Sequence, residues 1–372
     1  MKSALEIIHQ HAEEGARLIP SFLSNLPENK EKSAICFASD RNYLAFTLVA
    51  IQSILSNASP DGYYDIVILG TDCSGQDGMF QPFLSDRVNI RILDMEKYIE
   101  KFGMRDFYVS GNIPMAAYFR FFIPEIFAEY DKVLYLDGDI LACDDVNKLL
   151  SEELGDALVG CMLDIGMIGV KPGRRDYVEK ILGISPKQYF CAGVLLYNIK
   201  ECKAFDFISK CLAKLHELVN PPYHDQDVLN AVTAGRTKML PVRWQFFSGF
   251  LSPKVRKKLK NLPELQEECR KAEQNLGIIH YARTKPWNDA HTDLAERWWA
   301  VADSTTVGLS LRLRYSERRG ARLDEAVKLM GRPWLYLTYS LYKILALFSG
   351  GEQRKECQRR SKLLKYLIRH DS

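Results

Sequence analysis

No Cys-x-x-Cys pair occurs in the 372 residues, and the nine cysteines, at 36, 73, 143, 161, 191, 202, 211, 269 and 357, do not cluster as zinc ligands do. An odd count spread along a long chain points to reduced, mostly buried thiols rather than a disulfide framework. Long apolar runs are missing too. The most apolar stretch, Trp334 to Phe348, has 15 residues and contains Lys343, whereas a bilayer span takes ~20. Near the N-terminus, Glu6, His9, His11, Glu13 and Glu14 interrupt the apolar positions, so no secretory signal is expected. Strong net charge is also lacking, since 50 Lys and Arg oppose 47 Asp and Glu, leaving +3. That near balance conceals a division. From Leu309 to Ser372 there are 15 basic against 6 acidic residues, and before it 35 against 41, so an acidic body ends in a basic tail.

What is present is the composition of a folded protein. At 47% apolar and 26% charged residues, collagen-like, low-complexity and largely disordered classes are excluded. Short β-branched runs alternate with helical periodicity: SAICFAS (Ser33 to Ser39), YDIVILG (Tyr64 to Gly70), VNIRILD (Val88 to Asp94), KVLYLD (Lys132 to Asp137), ALVGCML and YFCAGVLLYNI read as strands. YLAFTLVAIQSILSN, Ile113 to Phe127, and a long segment from about Lys200 to Val219 read as helices. Such alternation predicts an α/β fold, a mostly parallel sheet flanked by helices. The expected division is an N-terminal helical extension over residues 1–30, one α/β domain over 31–290, and a basic, aromatic helical region over 291–372.

In sheets of this kind the ligand sits beyond the carboxyl ends of the strands. No Gly-x-Gly-x-x-Gly follows the first strand, and no Walker A loop is found, so dinucleotide and P-loop chemistry are excluded. After the fourth strand comes Asp137-Gly138-Asp139. Two carboxylates flanking a Gly at a strand end can turn toward one hard cation. The plainer alternative is an acidic turn, with Asp144 or Asp145 capping a helix. His280, ending the run LGIIH, is either a third ligand or a structural histidine; two carboxylates and an imidazole would suit Mn²⁺.

These segments resemble glycosyltransferase family 8, the retaining sugar-nucleotide enzymes that include bacterial lipopolysaccharide galactosyl- and glucosyltransferases. The pieces carrying the likeness are FASDRNY (Phe37 to Tyr43), AAYFRFFIPEIF (Ala116 to Phe127), YDKVLYLDGDIL (Tyr130 to Leu141), YFCAGVLLYNI (Tyr189 to Ile199), HDQDVLNAV (His224 to Val232) and IIHYARTKPW (Ile278 to Trp287), in the family's order. The resemblance implies a GT-A type fold and a UDP-hexose donor, glucose or galactose, with Mn²⁺ or Mg²⁺ held by Asp137, Asp139 and His280. It also implies that Ala38, Asp40, Asn42 and Tyr43 surround the uridine, with Tyr43 stacking on the base. Arg120, Gly138, Cys191 and Ala192 would complete the donor pocket, Lys285 would meet the phosphates, and Asp225 and Gln226 would lie against the transferred sugar. Two departures stand out. The family usually has Asn where this chain has Cys191, and Ala282-Arg283-Thr284 shortens the usual His-to-Lys spacing by one residue, so that either Arg283 supplies extra charge to the diphosphate or Lys285 reaches it differently.

The chemistry implied is departure of UDP from the anomeric carbon with retention. Same-face attack by the acceptor is preferred over a covalent intermediate on Asp225, because Gln226 is a poor nucleophile. The expected acceptor is a glycan or glycolipid such as a lipopolysaccharide core. In the tail, Lys362, Lys365 and Arg369 share one helical face and Leu364, Leu367 and Ile368 another. That pattern suits an anionic membrane surface, the alternative being a solvated helix covering the domain; no nucleic-acid partner is expected. The location anticipated is cytoplasmic and peripheral on the inner face of the membrane. A non-catalytic sugar-nucleotide-binding protein of the same fold is the competing reading.

Overall fold

The computed structural model describes residues 32–101, 115–167, 170–260, 262–289, 291–318 and 332–348, with 350, 351, 354, 357, 358 and 361. The anticipated N-terminal extension, and the amphipathic tail bearing Lys362, Lys365 and Arg369, lie outside the described residues. The chain divides into two compact units, Met1–Arg283 and Thr284–Ser372.

In the first unit ten strands are numbered in chain order: β1 Lys32–Asp40, β2 Tyr63–Thr71, β3 Val88–Asp94, β4 Lys132–Leu136, β5 Ile140–Ala142, β6 Val159–Leu163, β7 Phe190–Asn198, β8 Thr237–Met239, β9 Phe246–Phe247 and β10 Ile278–His280. Seven of them form one sheet in the order β3-β2-β1-β4-β7-β6-β8. The β1–β2, β2–β3, β1–β4 and β6–β8 pairs are parallel, and β7 alone runs the other way, between β4 and β6. Strands β2 and β7 are buried along nearly their whole length. That is why they read as continuous apolar runs instead of alternating ones, both faces being covered. Much of one cover comes from Tyr118, Phe119, Phe121, Phe122 and Phe127, which pack with Val133, Tyr135, Leu195 and Tyr197 in the main core. A second, three-stranded sheet, β5-β10-β9, closes the carboxyl end of β4.

Helices depart from the sequence expectation in three places. The segment expected as one helix to Phe127 is described from Met115, as a 3₁₀ helix Met115–Phe122 followed by one α turn, Ile123–Ile126. Pro124 supplies the reason: lacking an N–H, it cannot extend a helix from behind and instead starts a new one. The stretch from Lys200 to Val219 is two helices, Ile199–Ala204 and Phe207–Leu218, parted at Asp206, whose φ of 56° is left-handed. The Asp206 carboxylate accepts the Ser209 hydroxyl at 2.8 Å, so the break is held by a local bond. The turn Asn147–Leu150 has Val146 at its N-cap and no side-chain cap; Asp145 accepts the Asn147 N–H at 3.0 Å, and Asp144 turns to Arg243 (2.6 Å) and Lys148 (2.7 Å).

The second unit contains helices Ala295–Asp303, Gly308–Arg318 and Arg332–Phe348. Trp298, fully buried, meets the tilted ring of Trp287 at 4.7 Å and Trp299 edge-to-face at 4.9 Å. Arg312 lies 3.9 Å over the Trp299 ring and makes a bidentate pair with Asp303 at 2.9 and 2.7 Å. Among the described residues no helix is long and apolar enough to cross a membrane.

Candidate metal and donor site

Two strand pairings bring together residues far apart in sequence. Strand β5 pairs antiparallel with β10, His280 opposite Ile140, and the Tyr281 N–H donates to the Asp139 carbonyl at 3.0 Å. Strand β4 pairs with β7, Leu136 opposite Val194, and the Asp137 N–H donates to the Gly193 carbonyl at 2.8 Å. The strand ends therefore deliver Asp137, Asp139 and His280 to one point. Nε2 of His280 lies 3.2 Å from Asp139 Oδ1 and 3.7 Å from Asp137 Oδ2. One ligand atom from each of the three lies within 4.8 Å of the others. Asp139 and His280 are buried, whereas the Asp137 side chain is 29% exposed.

Two glycines make room for this cluster. A Cβ on Gly193 would stand 2.2 Å from Cε1 of His280 and 2.8 Å from Asp137 Oδ2. A Cβ on Gly138 would stand 2.6 Å from the Thr47 hydroxyl and 3.1 Å from the Tyr43 ring. Any side chain at Gly193 would thus occupy the space in which the ligand atoms meet. Two carboxylate oxygens and one imidazole nitrogen, with small residues where bulk would block them, are a donor set that fits a divalent cation.

Arg120, 5% exposed, ties the cluster to Asp225. Its guanidinium donates to Asp137 Oδ1 at 3.1 Å and to the Ala192 carbonyl at 2.6 Å, and its Nε lies 3.0 Å from Asp225 Oδ2. Tyr135 adds its hydroxyl to Asp137 Oδ1 at 2.9 Å and its ring to the guanidinium at 4.5 Å. Burial pushes the Asp225 carboxyl up to about 6, with Arg120 pulling it down and Asp137 pushing it further up.

Gln226 sits at the start of the helix His224–Val232 with its amide fully engaged. Its Oε1 accepts the Ala192 N–H at 3.0 Å, while Nε2 donates to Asp164 Oδ2 at 3.0 Å and to the Tyr189 hydroxyl at 3.2 Å. Tyr189 in turn donates to Asp227, a buried carboxylate that also accepts from the Tyr177 hydroxyl and the Tyr223 N–H. Asp164 and Tyr189 were not among the sequence candidates. Asp164 follows β6 directly, so the strand-end rule that picked out Asp137 would have found it; Tyr189 carried no comparable signal.

At the end of β1, Asp40 spends its Oδ1 on its own turn, accepting the N–H groups of Asn42 at 2.8 Å and Tyr43 at 3.0 Å. That turn sets the Tyr43 ring beside Gly138. Burial, then the charges of Asp139, Asp137 and Asp40, hold the Tyr43 phenol above its ordinary value. Ala38 packs against the main core. Cys191 is buried with its Sγ 3.9 Å from Nδ1 of His280, and burial raises its thiol well above the usual value. A Cβ on Gly166 would lie 3.5 Å from the Arg283 guanidinium, which places Arg283 beside the Asp164 turn. Lys285 belongs to the second unit, where its carbonyl accepts the N–H groups of Asn288 and Asp289 at 2.9 and 3.0 Å.

With this geometry in view, the chain can be set beside known proteins. It is 27% identical over 273 residues to glycosyltransferase GlyB of Streptococcus pneumoniae, covering 72% of this chain and 60% of that protein. It therefore spans less than two thirds of the length of that relative. It is 28% identical over 259 residues to the lipopolysaccharide 1,2-glucosyltransferase of Escherichia coli K12, covering 68% and 72%. The solved structure of the galactosyltransferase LgtC with donor and acceptor sugar analogues superposes with a TM-score of 0.61 at 25% identity, covering 73% of this chain and 96% of that one. The architecture is accordingly the GT-A type expected from the sequence. Residues 34–291 match the profile of Glycosyl transferase family 8, and the chain belongs to that family.

Proposed function

We propose that the protein is a retaining glycosyltransferase that moves a hexose from a UDP-sugar to a saccharide or glycolipid acceptor. The observation that carries this reading is the meeting of Asp137, Asp139 and His280 at one point, joined through Arg120 to Asp225. Asp137, Asp139 and His280 would hold Mn²⁺ or Mg²⁺, whose chemistry when bound is to neutralise charge developing on the departing diphosphate. Arg120 orients Asp137 and Asp225 with one planar guanidinium, so the carboxylate of the metal cluster and the carboxylate facing the sugar move as one piece. Tyr43 offers a ring to the uracil.

The preference for same-face attack gains support from the bonding. Asp225 is buried and paired with Arg120, and the Gln226 carbonyl already accepts the Ala192 N–H. Neither is a free nucleophile. The acceptor side is read from a cleft of about 760 Å³ lined in part by Leu163, Met167, Arg175, Lys187, Leu262 and Leu265. Leu163 immediately precedes Asp164, the partner of Gln226, so the cleft borders the residues that hold the transferred sugar. Its lining also carries Glu179 and Glu264, and this mixture of apolar and charged groups of both signs suits a saccharide acceptor. The lipopolysaccharide glucosyltransferase and the galactosyltransferase among its relatives support glucose or galactose as the sugar. Peripheral attachment to anionic membrane through the basic second unit completes the reading.

Release of UDP from a panel of UDP-sugars, with and without Mn²⁺, tests it. Mn²⁺-dependent turnover of UDP-glucose or UDP-galactose is expected, and Asp139→Asn should lower it by at least a hundredfold. Tight UDP-sugar binding without turnover under any condition would favour the non-catalytic alternative.

A further inference from the structure

We infer that Gln245 is the positioning residue that turns His280 toward the cation, an inference that rests on the metal-site reading above. Gln245, 1% exposed, ends the 3₁₀ turn Val242–Gln245 just before β9. Strand β9 pairs in parallel with β10, Phe247 opposite His280, so the turn delivers the Gln245 amide to the side of the imidazole away from the carboxylates. The amide nitrogen lies 3.0 Å from Nδ1 of His280, and Phe247 packs on the ring at 5.5 Å. The Gln245 Oε1 is buried and makes no hydrogen bond among the described residues.

An imidazole that offers Nε2 to a cation must carry its proton on Nδ1, and that Nδ1–H then needs an acceptor. Around Nδ1 the structure provides two groups, the Gln245 amide at 3.0 Å and the Cys191 thiol at 3.9 Å. A thiol sulfur is a weak acceptor. The amide is a strong one. Rotation about the Cγ–Cδ bond exchanges its oxygen and nitrogen without moving the chain, so that Oε1 takes the Nδ1–H and the Nε2 lone pair faces Asp137 and Asp139. A glutamine serves here where lysine, a donor only, or methionine, a weak acceptor, would not, because a strong acceptor fixes this tautomer. Gly193 on one side and the Phe247 ring on the other leave the imidazole little room to turn.

The test uses the full chain with Gln245→Met, close in size but with only a weak thioether acceptor, and Gln245→Glu, which when ionised can only accept. Mn²⁺ binding is read by electron paramagnetic resonance, and the His280 tautomer by ¹⁵N resonance in protein saturated with Mg²⁺. Gln245→Met should weaken Mn²⁺ binding ten- to a hundredfold, about the cost of losing a ligand's supporting partner, with an unchanged thermal midpoint. Gln245→Glu should bind at least as tightly as the wild type. The wild type should carry its proton on Nδ1. Wild-type affinity in Gln245→Met, or a proton on Nε2 in the Mg²⁺-saturated wild type, would overturn the inference alone. A wild type that binds no Mn²⁺ would overturn the metal site itself, and this inference with it.

Discussion

Gly193 has no side chain to contribute, and its value lies in that. The space a Cβ would fill belongs to Cε1 of His280, 2.2 Å away, and to Asp137 Oδ2. Gly193→Ala is therefore expected to push the imidazole from its carboxylate partners. Overpacking of this kind costs about 1–3 kcal/mol, and Mn²⁺ affinity should fall at least tenfold; urea denaturation and a Mn²⁺ titration would check both, and an unchanged affinity would contradict the crowding account. Asp225 allows a prediction in pH. Its carboxyl is raised from 3.8 to about 6, so the folded protein holds this proton more tightly than the unfolded chain does. The group favours folding fully below about pH 4 and ceases to do so as pH rises through 6, whereas pairing with Arg120 requires the ionised form. Donor turnover should thus rise through pH 6 while this contribution to stability falls. Turnover flat between pH 5 and 7 would remove Asp225 from the chemistry.

Strands and strand ends were legible because their physics is local. An apolar, β-branched run stays buried wherever it pairs, and the residue that follows it must emerge at the sheet's carboxyl edge, which is how Asp137 and His280 announced themselves. Arg120, Asp225 and Gln226 came from the family resemblance, since nothing in their own surroundings marks them. Gly193, Tyr189 and Gln245 were missed for a common reason: each acts across a strand pairing or helix contact that spacing along the chain does not reveal. The broken helices were missed because apolar periodicity carries straight across Asp206 and the left-handed backbone there is invisible to it. One such position is open to improvement. Val219, at the end of the helix Phe207–Leu218, has φ of 40° and is 70% exposed. A β-branched residue is strained there and little packing would be lost with it. Val219→Gly should therefore stabilise the protein by about 1 kcal/mol, measured by urea denaturation; a loss of stability would mean that the side chain contributes more than its exposure indicates.

Across the whole molecule the charge division and the exposed apolar surface coincide. Four of the large apolar residues that stand exposed, Leu341 (39%), Ile344 (53%), Leu345 (43%) and Leu347 (74%), fall within seven residues of the helix Arg332–Phe348, while Ala346 beside them is buried. Leu341, Ile344 and Leu345 share one face by their three- and four-residue spacing. The same stretch of sequence, from Leu309 on, holds 15 basic against 6 acidic residues. An exposed apolar helix face in a stretch of sequence rich in cations is the pattern expected of a helix that lies in a membrane interface, where burial of the face and attraction to anionic lipid add. Replacing Leu341, Ile344, Leu345 and Leu347 together by Ser should weaken binding to vesicles containing phosphatidylglycerol at least tenfold. Mn²⁺-dependent UDP release in solution should be unaffected, because the metal cluster is built wholly from the first unit. The two contributions separate by salt: raising it from 0.1 to 0.5 M shortens the screening length and should weaken wild-type binding through the charges, while the serine variant should start weaker and fall by a similar factor. Equal vesicle binding by the two proteins at low salt would leave the helix face with no part in attachment.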